Sequence, residues 1–180
     1  MTPDEQLTHW VKQKYEGRLI KSTYKPYFIH LQFVAEQAGK ATNFGYEIGL
    51  CHDIFEDLAI KPVELTETLI SFGYTDTQAG YITDAVTELT DVFTAAAYPG
   101  MGKKERKEQE AARLATISPA AQTVKYCDLI YNIGWMMHYD REHAKKYLKK
   151  KQLLVTNMVK GDKILRQKAL QLIWNSLGEL

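Results

Sequence analysis

The chain has 180 residues, of which 45% are hydrophobic and 25% charged, with a formal net charge of +1 at pH 7. That length and composition suit one globular domain with a real core and exclude a disordered or collagen-like chain. A charge so near zero excludes the broad field of a nucleic-acid or membrane-surface binder, so an anionic ligand would have to be held by a local basic cluster.

Helical periodicity dominates, and no segment sustains period-two alternation. A first helix is predicted after Thr2, with Pro3 as its first residue, Asp4 and Glu5 in its first turn, and Leu7, Trp10 and Val11 along it. STYKPY interrupts, and a second helix starts near His30 and carries Phe33, Val34, Gln37 and Ala38. Residues 39–43 form a loop, and a third helix is expected over 46–58, ending before Lys61-Pro62. Residues 62–72 read as a short helix stopped by Gly73, and Thr75 or Asp76 caps a helix with Ile82, Val86 and Leu89 on one face. Pro99, Gly100 and Gly102 make 93–104 a loop. A strongly charged helix follows over 105–116, and Ser118-Pro119 restarts the chain as N-cap and first residue of a helix with Val124, Cys127, Ile130 and Tyr131 on its apolar face. Beyond Arg141 the pattern fits one long or two shorter helices, closing on the amphipathic ILRQKALQLIWNSL. With no internal repeat or linker, residues 1–180 are expected to form one all-α domain.

No apolar run reaches the ~20 residues of a membrane span, and MTPDEQLTHW lacks the regions of a secretory signal. Cys51 and Cys127 sit in apolar runs without metal-type spacing, as buried reduced thiols do. A soluble, cytoplasmic protein is expected.

Chemistry concentrates in GLCHDIFEDLAIKP, where His52, Asp53, Glu56 and Asp57 stand among apolar residues. On a helix, His52 and Glu56 are four apart, as are Asp53 and Asp57, which places neighbouring members on adjoining surface. Three carboxylates so gathered repel unless a metal ion, a lysine or arginine, or water separates them. Two further polar groups interrupt apolar helical faces: His30 and Asp128. Two imidazoles and two carboxylates form a donor set for manganese, iron, nickel, cobalt or zinc, and the facing helices of a bundle can bring them together. The plainer alternative is two satisfied core histidines and a paired or capping aspartate.

In order and context these residues resemble the H…HD…D pattern of the HD-domain metal-dependent phosphohydrolase superfamily, in its RelA/SpoT-type hydrolase branch. KPYFIH is similar to that branch's lead-in EPYIxHP, CHDIFED to HDxxED, VTELTD to VTxxTD, and VKYCDLIYN to KLADRLxN, with a tail match at AKKYLKKKQLL. In size the chain resembles the stand-alone small alarmone hydrolases of the metazoan SpoT-homologue type. The resemblance implies an all-α, single-domain HD-type helical bundle with a mononuclear metal site. It implies His30, His52, Asp53 and Asp128 as ligands, manganese as the usual ion, and Glu56 and Asp57 as the catalytic pair that orients or activates water. It implies Asn132 as a substrate contact, and the expected substrate-binding set is Lys21, Thr23, Tyr24, Lys125, Asn132, Tyr147 and Lys151. Binuclear HD phosphodiesterases need extra histidines, and the remaining His9, His138 and His143 lack a matching context.

Several positions depart from the branch. Lys21 stands where an arginine would stack on guanine, and lysine stacks less well than a planar guanidinium. Tyr24 replaces a glycine and offers an aromatic face, Leu31 replaces a proline, and Leu58 a threonine. Two basic clusters, Lys103, Lys104, Arg106, Lys107 and Arg113, and Lys145, Lys146, Lys149, Lys150 and Lys151, read either as solvated helix faces or as a rim around a phosphate site. Helical phase lets at most two lysines of the second cluster face one ligand.

The resemblance implies a small-molecule nucleotide substrate, with no nucleic acid or membrane partner. The expected activity is removal of the 3′-pyrophosphate from a purine alarmone such as (p)ppGpp or (p)ppApp. The alternatives are a phosphomonoesterase acting on mononucleotides or NADPH, then a cyclic-nucleotide phosphodiesterase, and, from a different class, a nucleotide-sensing binding protein.

Overall fold

Thr2 begins the structured chain, accepting from the Glu5 N–H while the Glu5 carboxylate accepts from Thr2 N–H, a reciprocal cap that launches α1 (Pro3–Lys14). The computed structural model describes all residues, Met1–Leu180, in ten helices. After α1 come α2 (Phe28–Ala38), α3 (Gly45–Cys51), α4 (Ile54–Asp57), α5 (Pro62–Ser71) and α6 (Asp76–Leu89). The second half holds α7 (Lys103–Leu114), α8 (Pro119–Tyr139), α9 (Arg141–Asn157) and α10 (Lys163–Gly178). The only strand-like pairing is one antiparallel bridge between Leu19 and Pro26, which closes the loop before α2. No helix is long and apolar enough to cross a membrane.

Most boundaries follow from local chemistry. Thr75 caps α6 and Ser118 caps α8, with Pro119 at the first position. Gly73, at φ +103°, ends the turn after α5 in a conformation that side chains resist. Two starts fall earlier than predicted: α2 opens at Phe28 and α7 at Lys103. The tail is two helices, because residues 158–162 are pinned to α8. There Tyr126 Oη donates to the Met158 carbonyl at 2.6 Å, and Gln122 Oε1 accepts from the backbone N–H groups of Lys160 and Gly161.

The expected single helix over 46–58 is broken. A continuing helix would offer the Gly49 carbonyl to Asp53 N–H, but that carbonyl accepts from His52 Nδ1 at 2.7 Å instead. Asp53 sits at φ −102°, ψ 1°, and α4 starts beyond it. The four-residue spacing along one helix face is therefore not what gathers the polar groups. The break is.

One cluster of 38 buried residues runs through the bundle. Its axis is α8, which carries eleven buried residues and packs against α2, α3, α6, α9 and α10. Against α2 lies α3, whose Gly49 sits so close that an added Cβ would lie 2.8 Å from Ala35 Cα and 2.9 Å from Ala35 N. Cys51 and Cys127 are buried free thiols. Gly49→Ala would force α3 away from α2 and should destabilise the protein by about 1–3 kcal/mol, the usual range for overpacking. Urea unfolding checks this, and an unchanged midpoint would show that the crossing is looser than described.

Candidate metal centre and its surroundings

Helix α2 brings His30 to the core from its first turn, α3 ends at His52, the break turns Asp53 inward, and α8 supplies Asp128 from its middle. His30, His52 and Asp128 are almost fully buried. The Nε2 atoms of His30 and His52 are 3.1 Å apart, and Asp53 Oδ2 lies 3.1 Å from the second and 3.6 Å from the first. Asp128 Oδ1 closes the group at 3.5 Å from His30 Nε2 and 3.8 Å from His52 Nε2. His30, His52 and Asp53 form a group whose donor atoms can hold a metal ion.

The donor chemistry fits a divalent cation. A carbonyl only accepts, so His52 Nδ1 must carry the proton it gives Gly49, and in the neutral ring the Nε2 lone pair faces the centre. Two inward nitrogens and two carboxylate oxygens then face one another, an arrangement that requires a cation or an extra proton between them. Metal–ligand bonds near 2.1 Å put neighbouring donors about 3.0–3.4 Å apart, close to the separations found.

The electrostatics have the same shape. Burial opposes a charge on His52, but Asp53, Asp128 and the Gly49 carbonyl outweigh it and raise the imidazole to about 9. Burial would raise both aspartates. His52 and His30 instead hold Asp53 well below the usual carboxylate range, and Lys125 with the two imidazoles holds Asp128 down.

A second layer of side chains fixes these donors. Tyr27 Oη donates to Asp53 Oδ2 at 2.6 Å. Lys125 Nζ donates to Asp128 Oδ2 at 2.8 Å, and Asn132 Nδ2 to Asp128 Oδ1 at 2.5 Å. Such outer partners orient ligating groups and tune their basicity. Tyr131 and Tyr27 pack edge-on against the His30 ring.

Glu56 and Asp57, on the single turn of α4, flank the centre. Glu56 Oε1 accepts from Asp91 N–H at 2.7 Å, which ties α4 to the loop after α6. That loop is itself held from α7: Glu110 accepts from Val92 and Phe93 N–H, while Arg113 pairs with Glu110 and donates to the Glu88 and Thr90 carbonyls. Arg18 bridges to Asp57, reaching its Oδ1 at 3.2 Å and its carbonyl at 2.8 Å. Burial raises both carboxyls. The Asp91 N–H works against the rise at Glu56, while Asp53 adds to it at Asp57. Asp57 Oδ2 is buried without a hydrogen-bonding partner.

The residues singled out around the centre divide into two places. Lys21 and Asn132 line a cleft of about 190 Å³ with Ile20, Tyr27, His30, Tyr131 and Trp135. Thr23 is used in the turn, donating to the Ile20 carbonyl and accepting from Lys25 N–H. Tyr24 is 98% exposed and lies outside the cleft lining. Tyr147 lines a separate groove, with Lys151 Nζ 5.3 Å from its ring centroid. His9, His138 and His143 are exposed, away from the centre. Three contributors had no signal in sequence spacing: Arg18, Glu110 and Trp135, whose Nε1 donates to the Lys21 carbonyl across 114 residues, whereas Asp91 closes the VTELTD motif. Tyr27 could have been found, since it stands in KPYFIH three residues before His30.

Fold and cluster together define a class: an all-helical single domain with a buried His–His–Asp group able to hold a metal ion. Over its full length the chain is similar to one particular solved structure, that of a metazoan orthologue of SpoT that hydrolyses ppGpp and plays a role in starvation responses. The TM-score is 0.77 at 19% identity, covering 100% of this chain and 98% of that one. In sequence, no family model and no curated protein matches the chain. The all-α helical architecture implied by the sequence resemblance is the one found.

Two outcomes test this geometry. His52→Ala should leave the purified protein without a bound divalent ion, read by elemental analysis after dialysis against manganese; unchanged metal content would remove His52 from the ligand set. Burial and the charge of Lys125 push the Lys151 ammonium down to about 8. An unfolded lysine titrates near 10.4, so the unfolded chain holds that proton more tightly. The resulting instability is complete below about pH 8 and fades as pH rises towards 10.4. Lys151→Met should therefore raise the urea midpoint at neutral pH and have little effect above pH 10; an equal gain at both would assign the effect to packing alone.

Proposed function

We propose that residues 1–180 act as one metal-dependent phosphohydrolase that removes the 3′-pyrophosphate from a purine alarmone such as (p)ppGpp or (p)ppApp. The observation that carries this reading is the convergence of His30, His52, Asp53 and Asp128 beside the Glu56–Asp57 pair. It occurs in a chain that matches a ppGpp-hydrolysing protein from end to end in fold. Those four side chains would hold one divalent ion, manganese in this reading. A cation there supplies positive charge that lowers the pKa of a water and polarises a phosphoryl oxygen.

The chain's own groups supply the rest. Glu56 has one oxygen committed to Asp91 N–H, which fixes the carboxylate and leaves the other free to take a proton from the attacking water. Asp57, held by Arg18 and lowered by the nearby Tyr15 hydroxyl, would orient that water. Carboxyls raised above their ordinary range are better matched to proton transfer near neutral pH than exposed ones. Lys125 and Lys151 place cations near Asp128, where they would offset the charge of the 3′-pyrophosphate as water attacks its inner phosphorus and the ribose 3′-oxygen leaves with a proton.

The purine would lie in the cleft between Tyr131, Trp135 and the loop carrying Lys21. Its lining has no carboxylate to accept from the guanine edge, and its one amide, Asn132, already donates to Asp128. Discrimination between purines needs buried groups left unpaired by the wrong base, so guanine and adenine forms should turn over at similar rates.

Glu56→Gln and Asp57→Asn should each keep the metal and lose about 10²–10⁴-fold in turnover; near-normal rates in both would make the pair structural. Product analysis with manganese and ppGpp, ppApp, NADPH and simple mononucleotides tests the reaction itself. Pyrophosphate release from both alarmones is expected. Phosphate release from NADPH or mononucleotides, with both alarmones intact, would replace this function with a phosphomonoesterase.

A further inference from the structure

Three successive N–H groups beyond the end of α6 have no backbone partner, and all three end on carboxylates. Asp91 N–H donates to Glu56 Oε1 at 2.7 Å, while Val92 and Phe93 N–H both donate to Glu110 Oε2, at 3.0 and 2.9 Å. Glu56 and Glu110 are therefore fastened to adjoining peptides of one short segment, although they come from α4 and α7. The other oxygen of Glu110, Oε1, accepts from Arg113, whose Nε lies 2.8 Å away. Arg113 also donates to the carbonyls of Glu88 at 2.8 Å and Thr90 at 3.0 Å, at the end of α6. A helix C-terminus leaves such carbonyls unpaired and favours a cation beside them.

The arrangement suits placement better than it suits stability. A mostly buried ion pair adds little net stability, because desolvation offsets its attraction, but it fixes geometry when its remaining donors and acceptors are used. The side chains of Glu110 and Arg113 are 12% and 21% exposed, so this is such a pair. Both oxygens of Glu110 are used, and the Arg113 guanidinium reaches one acid and two carbonyls. Burial does not hold the segment they grip: Asp91 and Val92 are exposed, and none of residues 91–93 belongs to the core cluster. Neither Glu110 nor Arg113 lines the small cleft beside Tyr131. Nor do they line the groove where Lys103, Lys104 and Lys107 of α7 face Lys146 and Lys150 of α9. Their influence on a reacting ligand must pass through the segment they hold.

We infer that Glu110 and Arg113 are positioning residues for Glu56. Arg113 fixes Glu110 against the end of α6, Glu110 fixes the Val92 and Phe93 peptides, and the adjoining Asp91 N–H orients the Glu56 carboxylate. The inference rests on Glu56 being the proton acceptor of the proposed function. With one Glu56 oxygen committed, the direction of that bond decides where the free oxygen points, and a misplacement of about 1 Å can cost on the order of 10² in rate. Glutamine at position 110 has one acceptor oxygen for two sets of donors, so it can satisfy the peptides or Arg113 but not both. Lysine at position 113 keeps the charge and loses the planar fork that reaches three acceptors.

The test pairs amide hydrogen exchange with a kinetic cycle. In the wild type the Asp91, Val92 and Phe93 amides should exchange slowly for an exposed segment. In Glu110→Gln and in Arg113→Lys all three should exchange faster, Asp91 included, with bound metal unchanged. Turnover should fall about 10–10²-fold with KM within about twofold of wild type. The same substitutions made in a Glu56→Gln background should cost less than about twofold more, since a residue acting through Glu56 then has nothing left to place. Asp91 staying protected while Val92 and Phe93 lose protection would show that the clamp does not reach Glu56. Equal kinetic losses in both backgrounds would make the pair merely structural, and either result overturns the inference. Arg113→Lys carries the test if Glu110→Gln does not fold. Exchange is read without substrate, so it decides the clamp even if the wild type leaves alarmones intact, the separate result that would end the hydrolase reading.

Discussion

The contact between Gly49 and Ala35 sets how near α3 comes to α2, and through it how near His52 comes to His30. With no side chain at Gly49, the backbones approach until a Cβ would clash. The same residue's carbonyl then takes the His52 Nδ1 proton, which ends α3 and turns Asp53 towards the centre. A single glycine thus determines helix spacing, helix length and imidazole tautomer together. Loosening it would change the donor separations before it changed anything else about the bundle.

That spacing creates an electrostatic debt which organises the rest. Two imidazoles facing two carboxylates are stable only with a cation or an extra proton between them, and the buried aspartates need further donors on their outer oxygens. Tyr27, Lys125 and Asn132 provide those donors. Lys125 in turn brings a positive charge against Asp128, and partial burial together with that charge lowers the Lys151 ammonium to about 8. The charge of a half-buried lysine held near another cation weakens the folded state at neutral pH. It makes sense as part of a surface that expects an anion, in keeping with the general opposition between stability and function at prepared sites.

Much of this was legible in the sequence, and the division between what was and was not is physical. Thr2, Thr75 and Ser118 announce their helices because a cap is a bond across three residues. His30, His52, Asp53 and Asp128 stand out because polar groups on apolar faces are conspicuous, and the motif around them resembles a known pattern. The break after His52 was not legible, since it depends on a side chain outcompeting a backbone N–H for one carbonyl. Nor could spacing reveal Arg18 on Asp57 or Trp135 on the Lys21 carbonyl, pairs formed 39 and 114 residues apart. The two basic clusters looked like solvated faces, and for Lys145 and Lys149 that is what they are. Only the facing of α7 and α9 separates those lysines from Lys146 and Lys150.

Helix α8 explains why the two sides of the centre differ in chemistry. Asp128, Asn132 and Met136 follow one another at four-residue spacing, with Lys125 one turn before, so they lie along one ridge. Tyr131 and Trp135 form the adjoining ridge. The first runs from the metal donors to the floor of the lysine groove; the second faces the loop of Lys21 and makes the aromatic wall of the small cleft. Under the proposed function, the ring would lie against one ridge and the phosphates along the other, with the bond to be cut held between them. Under that reading, a plain phosphomonoester would use only the centre and leave the lysine-lined groove idle.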